Sequence, residues 1–426
     1  MARDPWPRRD EREAVSNDAY AALRRPSYRR FLAGAFSVNL GAQFLKIAAG
    51  FHLYTVTHQA WALAGLGLAN YLPIFVLSLP AGWAADHYDR RQVLRLAQAI
   101  QLLAALGLLG LVALGGPTWG WYPLVFLHAC GRALQTPSSV SLYPLLIEPA
   151  EVPRAVSWNS ATYQLGAVLG PVLAGLSVHF LGVLPSLAVV VAGPALSLAL
   201  ISRLQLLRQP PSARVEPLKE KILGGFRFVR AQRAILGALS VDFVEVLFGG
   251  VDGILPMFTE DILHCGAWGL GLLQAAIFVG AFIMSGVLAH KPRLPQPGKA
   301  MLAAVAGFGL CMLVFAWSKA FWLSFGALVA AGMLDQVSVY VRQTLVQLRT
   351  PEQLRGRVQA VNFFFIGSSN ELGEFESGVS AAWLGPVGSV LMGGVAVLLT
   401  VATWSVLFKE LRTLGSLAPD GPAAAP

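Results

Sequence analysis

Apolar residues in this chain come in long runs, and twelve of these runs reach the roughly 20 residues that a helix needs to cross a hydrocarbon layer. They fall at 31–57, 61–85, 93–114, 119–147, 155–180, 183–203, 234–258, 266–290, 298–318, 320–346, 357–384 and 385–407. Two hairpins, 155–203 and 357–407, are divided only by weak Gly/Pro breaks. The pattern predicts an all-α membrane protein with six helices in 31–203 and six in 234–407. A basic N-terminus (1–30), a Pro-containing charged linker (204–233, with Pro210, Pro211 and Pro217) and a tail (408–426) complete the chain.

The polar connections alternate in charge. Those after helices 2, 4, 6, 8 and 10 carry Arg90, Arg91, Arg154, Arg208, Lys219, Lys221, Lys291, Arg293, Arg349 and Arg355, whereas the opposite side has Lys319 and little else. By the positive-inside rule both termini face the cytoplasm. Arg3, Arg8, Arg9, Arg12, Arg24, Arg25, Arg29 and Arg30 precede any apolar stretch, so the N-terminus does not read as a cleaved secretory signal.

Composition supports lipid as the solvent. Hydrophobic residues make up 55% of the 426 residues and charged ones 13%, with mean hydropathy +0.59. A water-soluble particle of this size could not bury so much apolar side chain. The net charge of +9 therefore reflects topology, and no nucleic-acid partner is expected. Cys130, Cys265 and Cys311 are scattered without ligand spacing, so no disulfide, metal or other cofactor is assigned.

The two halves repeat. Arg154, Asn159, Gly170 and Gly175 are matched in spacing by Arg357, Asn362, Gly373 and Gly378, each 203 residues later. The same offset pairs Arg132 with Asp335 and Asn39 with Asp242. Two pseudo-symmetric six-helix bundles around a central cavity are a transporter plan.

Between helices 2 and 3 runs Gly82-Trp83-Ala84-Ala85-Asp86-His87-Tyr88-Asp89-Arg90-Arg91. Gly82 permits close helix approach, Asp86 can accept from helix N-terminal amides, and Arg90 and Arg91 can pair with acids or lipid phosphates. A basic turn serving topology alone is the plainer alternative. The segment resembles motif A of the major facilitator superfamily, a loop that latches the two halves in one conformation, with Asp89 in place of the usual glycine. Arg132-Ala133-Leu134-Gln135 in helix 4 resembles motif B of proton-coupled exporters, with Thr136 where that motif has glycine. The resemblance implicates Arg132 in proton transfer; a static ion pair with an acid is the other reading. Gly166, Gly170, Pro171 and Gly175 in helix 5 are similar to motif C of antiporter branches, a smooth packing face with a proline bend. The resemblance covers essentially the whole chain, and residues 31–95 look most like the enterobactin-exporter-like and drug:proton antiporter branch.

Charged groups inside the runs are costly, so they are expected to converge on a cavity or on contacts between halves. Asp242, Glu245 and Asp252 would share one face of helix 7. With Arg132, Asp335, Glu371 and Glu374 they form the candidate proton-coupling set, Asp242 or Glu245 being the leading choice. Arg342 and Glu376 are further intramembrane charges, and any one acid could instead be a static partner of Arg132, Lys46 or Arg342. Asn39, Gln43, Lys46, Tyr54, Tyr71 and Phe248, together with Phe51, are candidates for lining a substrate cavity, although aromatics in helices more often serve packing.

The expectation is therefore a major facilitator fold in the inner (plasma) membrane, exporting a small amphipathic molecule, a siderophore or drug-like metabolite, by proton antiport through alternating access. An importer or uniporter of a polar solute would share the fold, and the helix 5 motif argues against it. A receptor or enzyme would need a sensor domain or a catalytic constellation. No nucleotide loop, paired metal histidines or nucleophile elbow is present, so neither a nucleotide partner nor catalysis is expected. The implied partners are the cargo, protons and the bilayer; oligomeric state is not constrained, and a monomer is the working expectation.

Overall fold

The computed structural model describes residues 20–207, 218–290 and 294–417, which contain helices and no strand. Arg3, Arg8, Arg9, Arg12, Arg208, Pro210, Pro211, Pro217, Lys291 and Arg293 lie outside the described residues, as do the side chains of Asp86, Lys219 and Lys221. The membrane helices are α1 (Pro26–Thr57), α2 (Ala60–His87), α3 (Arg90–Ala113), α4 (Trp121–Leu142), α5 (Val152–Leu181), α6 (Val183–Ser202), α7 (Arg233–Gly249), α8 (Gly266–His290), α9 (Pro297–Trp317) and α10 (Phe321–Arg349). Glu352–Leu407 is continuous except at Gly385, whose φ of 74° interrupts it ahead of Pro386 and yields α11 (352–384) and α12 (386–407). Gly182, at φ 89°, makes the matching break between α5 and α6. Both weak breaks are thus single left-handed glycines, a conformation that costs other residues energy. Nine described segments meet a spanning criterion of length and apolarity; the longest holds both α11 and α12, and the shorter α4 and α7 bring the described helices to twelve.

Two boundaries differ from expectation. The seventh run, expected over 234–258, stops as a helix at Gly249; residues 250–254 are non-helical, followed by a short turn Leu255–Met257 and a π turn Phe258–Ile262. The linker contains an amphipathic helix, Leu218–Ala231. Gly224 and Gly225 let it lie against Arg357 and Val361 at the start of α11.

The chain divides into two compact units. One takes α1 up to Lys46, Val76–Gly170 and the described residues from Leu184; the other takes Ile47–Phe75, Pro171–Val183 and the described residues from 218 onward. In the first, Tyr28, Phe31, Leu94, Leu142, Leu146, Ile147 and Leu204 form a buried apolar cluster, and the Tyr28 hydroxyl donates to the Ala155 carbonyl at 2.8 Å. Arg25 pairs with Glu148 at 2.5 Å and with Glu151 at 3.5 Å.

In the second unit, part of α1, α2 and α5 packs on the second half of the sequence through small residues. A Cβ on Gly175 would stand 2.5 Å from the Ala267 carbonyl, and one on Gly378 would stand 2.6 Å from Ala64 Cα. Position 64 is to 378 as 267 is to 175, each shifted by 203. Gly170 against Gln43 and Gly373 against Val246 obey the same shift. The repeat in the sequence is thus a repeat of contacts. Large apolar residues stay exposed on the helices, among them Leu103, Phe282 and Leu399, as lipid-facing surfaces require.

Candidate functional site

One face of α10 carries Asp335, Ser338 and Arg342, spaced three and four apart and so aligned along a helix. It meets Asp242 and Glu245 from α7 and Asn362 from α11. Arg342 Nε lies 2.9 Å from Asp242 Oδ1, and an Arg342 terminal nitrogen donates to Asn362 Oδ1 at 2.7 Å. The Asn362 amide donates in turn to Gln359 Oε1 at 3.2 Å. Carboxylate oxygens of Asp242, Glu245 and Asp335 all lie within 4.8 Å of one another. Asp242, Glu245 and Arg342 are each no more than 3% exposed. Neither oxygen of Glu245 accepts a hydrogen bond of good geometry among the described residues.

Three acids around one guanidinium, Asp242 and Glu245 buried and Asp335 half-buried, form an arrangement whose charge cannot be balanced if every acid is ionised. Such a cluster can hold a proton, or a cation that stands in for one, and its energy changes steeply with occupancy. Three clustered carboxylates are also within the reach of a metal ion. The Arg342 guanidinium, already against Asp242, makes it a poor cage for one.

One correction to the sequence reading follows. Asp252 does not continue the face of Asp242 and Glu245, because α7 has already ended at Gly249; the third acid is Asp335, from α10. Glu371 and Glu374 are on α11 but outside this cluster, and the Glu374 backbone packs beneath Gly253 in the non-helical segment. Arg342 and Ser338 were not singled out as site residues, although their spacing from Asp335 on one helical face carried the signal.

Asp89 is the N-cap of α3, its side chain accepting from the Arg91 amide at 2.9 Å, which accounts for an acid where glycine is usual. Arg90 donates to the Ala85 and Ser141 carbonyls (3.4 and 3.5 Å), Arg91 to the Leu204 carbonyl (3.0 Å) and Arg95 to the Ser202 carbonyl (3.1 Å). These arginines satisfy carbonyls at the ends of α2, α4 and α6. A Cβ on Gly82 would meet no described atom within 4 Å.

The motif C glycines do make theirs. Gly166 lies against Asn39, whose amide donates to the Tyr163 carbonyl at 3.1 Å; Gly170 lies against Gln43, and Gly271 faces the Pro171 carbonyl. Among the other cavity candidates, Lys46 is half-buried, Tyr71 stacks on Phe75 with centroids 5.4 Å apart, and the Phe248 carbonyl lies under Gly393 of α12. Tyr54 is buried and donates to the Asp261 carboxylate. Arg132 sits half-buried on α4.

Taken together, the helix count, the internal repeat and the buried acid cluster define a secondary transporter of the major facilitator class. The chain belongs to the transmembrane secretion effector family of that superfamily, whose profile matches residues 17–420. It is similar to the enterobactin exporter EntS of Citrobacter koseri, 27% identical over 402 residues that cover 93% of this chain and 95% of the relative. The corresponding protein of Escherichia coli O1:K1 / APEC is 27% identical over the same shares. Among solved structures, the fold is shared with a bacterial homologue of the lysosomal transporter Spinster, inward-facing and occupied (TM-score 0.71, 16% identity, 93% of this chain and 99% of that one). It is shared equally with a bacterial homologue of the iron transporter ferroportin, inward-facing (TM-score 0.71, 16% identity, 92% and 99%). The protein is thus a multi-pass membrane transporter of small molecules.

Proposed function

We propose that this protein exports a small amphipathic molecule of the siderophore or drug-like class across the inner membrane, drawing on inward proton movement, with both termini in the cytoplasm. The observation that carries the reading is the buried Asp242–Glu245–Asp335 cluster held by Arg342. Its acids outnumber its guanidinium, so a proton taken up from one side and released to the other changes the local charge at a point deep in the helices. Family membership and the curated relatives support export as the direction and a catecholate siderophore as the cargo class. Alternating access supplies the two sides to which one site is exposed in turn.

Counterflow in proteoliposomes tests this reading. A pH gradient is imposed and uptake of enterobactin and of a fluorescent amphipathic drug is followed for the wild type, Asp242→Asn and Glu245→Gln. Movement of either cargo against its gradient, driven by opposing proton flow and uncoupled in at least one variant, is the expected result. Cargo flux indifferent to the pH gradient, or coupling intact in both variants, would remove proton antiport at this cluster. Failure of both cargos to move would turn attention to import.

A further inference from the structure

The three acids of the buried cluster are not equivalent. Asp242 is matched: Arg342 Nε lies 2.9 Å from its carboxylate, and the same guanidinium donates to Asn362, so it is held between α7 and α11. Glu245 is only 1% exposed, and neither of its oxygens has a donor of good geometry among the described residues. Asp335 is half-buried and keeps accessible surface. Between Asp335 and Arg342 on the same face of α10, the Ser338 hydroxyl is fully buried and likewise makes no hydrogen bond of good geometry.

The helices packed around α7 and α10 bring no second cation to the cluster. α8 and α9 carry His290 and Lys299, both at their ends on the side rich in Lys and Arg, and α12 carries no charge. On α11, Glu371, Glu374 and Glu376 stand outside the cluster, and Glu352, Arg355 and Arg357 belong to its first turns. Arg233 begins α7 and pairs with Glu410, and Arg349 ends α10 on the Ser416 carbonyl. One guanidinium therefore balances one carboxylate, that of Asp242. An ionised Glu245 would have neither cation nor donor, the costly case in a low-dielectric interior. A protonated Glu245 is neutral and has an O–H to give. An Asp335 oxygen lies within 4.8 Å of it, a span that one side-chain rotation or one bridging water closes.

We propose that Glu245 carries the proton, that Asp335 passes it to and from the accessible side of the cluster, and that Asp242 stays ionised against Arg342 as a fixed counter-charge. Two neighbouring acids with one proton between them are the arrangement in which like charges do not both ionise. Uptake forms the O–H bond on Glu245 and release breaks it, with Asp335 holding the proton in between. This deepens the proton-antiport reading, on which it rests, by separating carrier from counter-ion. Asp242 is then a positioning residue that keeps Arg342 away from Glu245.

The test is infrared difference spectroscopy of the full-length protein in lipid nanodiscs, titrated in ordinary and heavy water with no cargo and no gradient. It reads the proton itself and so stands apart from transport. A carboxylic C=O band that persists at neutral pH, where exposed carboxyls are ionised, and shifts in heavy water is expected in the wild type and absent in Glu245→Gln. Asp335→Asn removes a neighbouring negative charge, so the band should remain with its midpoint lowered by about one pH unit or more, a tenfold or larger loss of proton affinity. Asp242→Asn should also keep the band and lower its midpoint, because it frees Arg342 to favour an ionised Glu245. Glu245→Gln reproduces the neutral form and should melt with the wild type at neutral pH, whereas Asp242→Asn should melt earlier. A band that survives Glu245→Gln and vanishes in Asp242→Asn would overturn the assignment. So would a band displaced by sodium at fixed pH, which would make the ligand a metal cation. Antiport in the counterflow assay without a titrating Glu245 would sink this assignment and keep the antiport reading; a titrating Glu245 with flux indifferent to the pH gradient would do the reverse.

Discussion

Arg342 keeps three mutually repelling acids in one buried place, and its removal shows what the arrangement costs. Arg342→Gln leaves uncompensated carboxylates and is expected to destabilise the protein by about 3–5 kcal/mol. The double variant Arg342→Gln/Asp242→Asn should recover most of that loss, because partners in one network do not add. Thermal unfolding in detergent checks both, and equal losses in the single and double variants would contradict the pairing. Outside the membrane, the connection after α7 holds a second titrating group. Burial first, and the charge of Asp261 second, push the Glu260 carboxyl up, with His58 and His264 acting the other way. A raised carboxyl binds its proton more readily in the fold than in the unfolded chain. Its contribution is therefore most favourable below the ordinary carboxylate range and is lost as pH rises through the raised value. Glu260→Gln should flatten that part of the stability profile and raise the melting temperature at pH 7 by no more than about 2 °C, since the group is only part-buried and solvent still screens it. A melting curve with the same pH slope in E260Q as in the wild type would disprove this.

Helix contacts in the second unit depend on absent side chains. Gly378→Leu would drive a branched side chain into Ala64, so flux in proteoliposomes should fall at least tenfold while the protein still inserts. Gly82→Ala, by contrast, meets nothing described and, replacing a glycine inside α2, should leave the protein as stable or stabilise it by up to about 1 kcal/mol. This difference was only half legible beforehand. The repeat of Gly170 and Gly175 as Gly373 and Gly378 could be seen from spacing, and every one of those glycines proved to sit at a close contact. The end of α7 was hidden. Val251, Ile254 and Leu255 keep the stretch apolar, so hydropathy runs straight through a break that backbone dihedrals make at Gly250. That carried Asp252 onto a face it does not occupy. Asp335 and Arg342 were visible as intramembrane charges, but only packing between α7 and α10 could reveal their meeting.

For the whole molecule, the membrane is written in its aromatic residues as well as its helices. Trp61, Trp119, Trp317, Trp322 and Trp383 are all more than half exposed, and each lies beside a connection on the side poor in Lys and Arg. That is the interfacial position such rings favour. Lipids brominated near the headgroup should quench tryptophan emission more strongly than lipids brominated at the chain end; the reverse order would contradict this placement. The fold class and its duplication were legible from runs and spacing, because lipid imposes length and apolarity on every span. The compact units were not, since the assignment of Ile47–Phe75 and Pro171–Val183 follows from packing that leaves no mark in hydropathy. Gly175 on Ala267 and Gly378 on Ala64 have one more consequence. Each half offers the other the same patch, which is the self-complementary contact of a two-fold dimer made within a single chain. Residues 1–207 and 218–426, produced as separate polypeptides, would therefore carry the means to recognise each other, as two subunits whose peptide link is a convenience of synthesis.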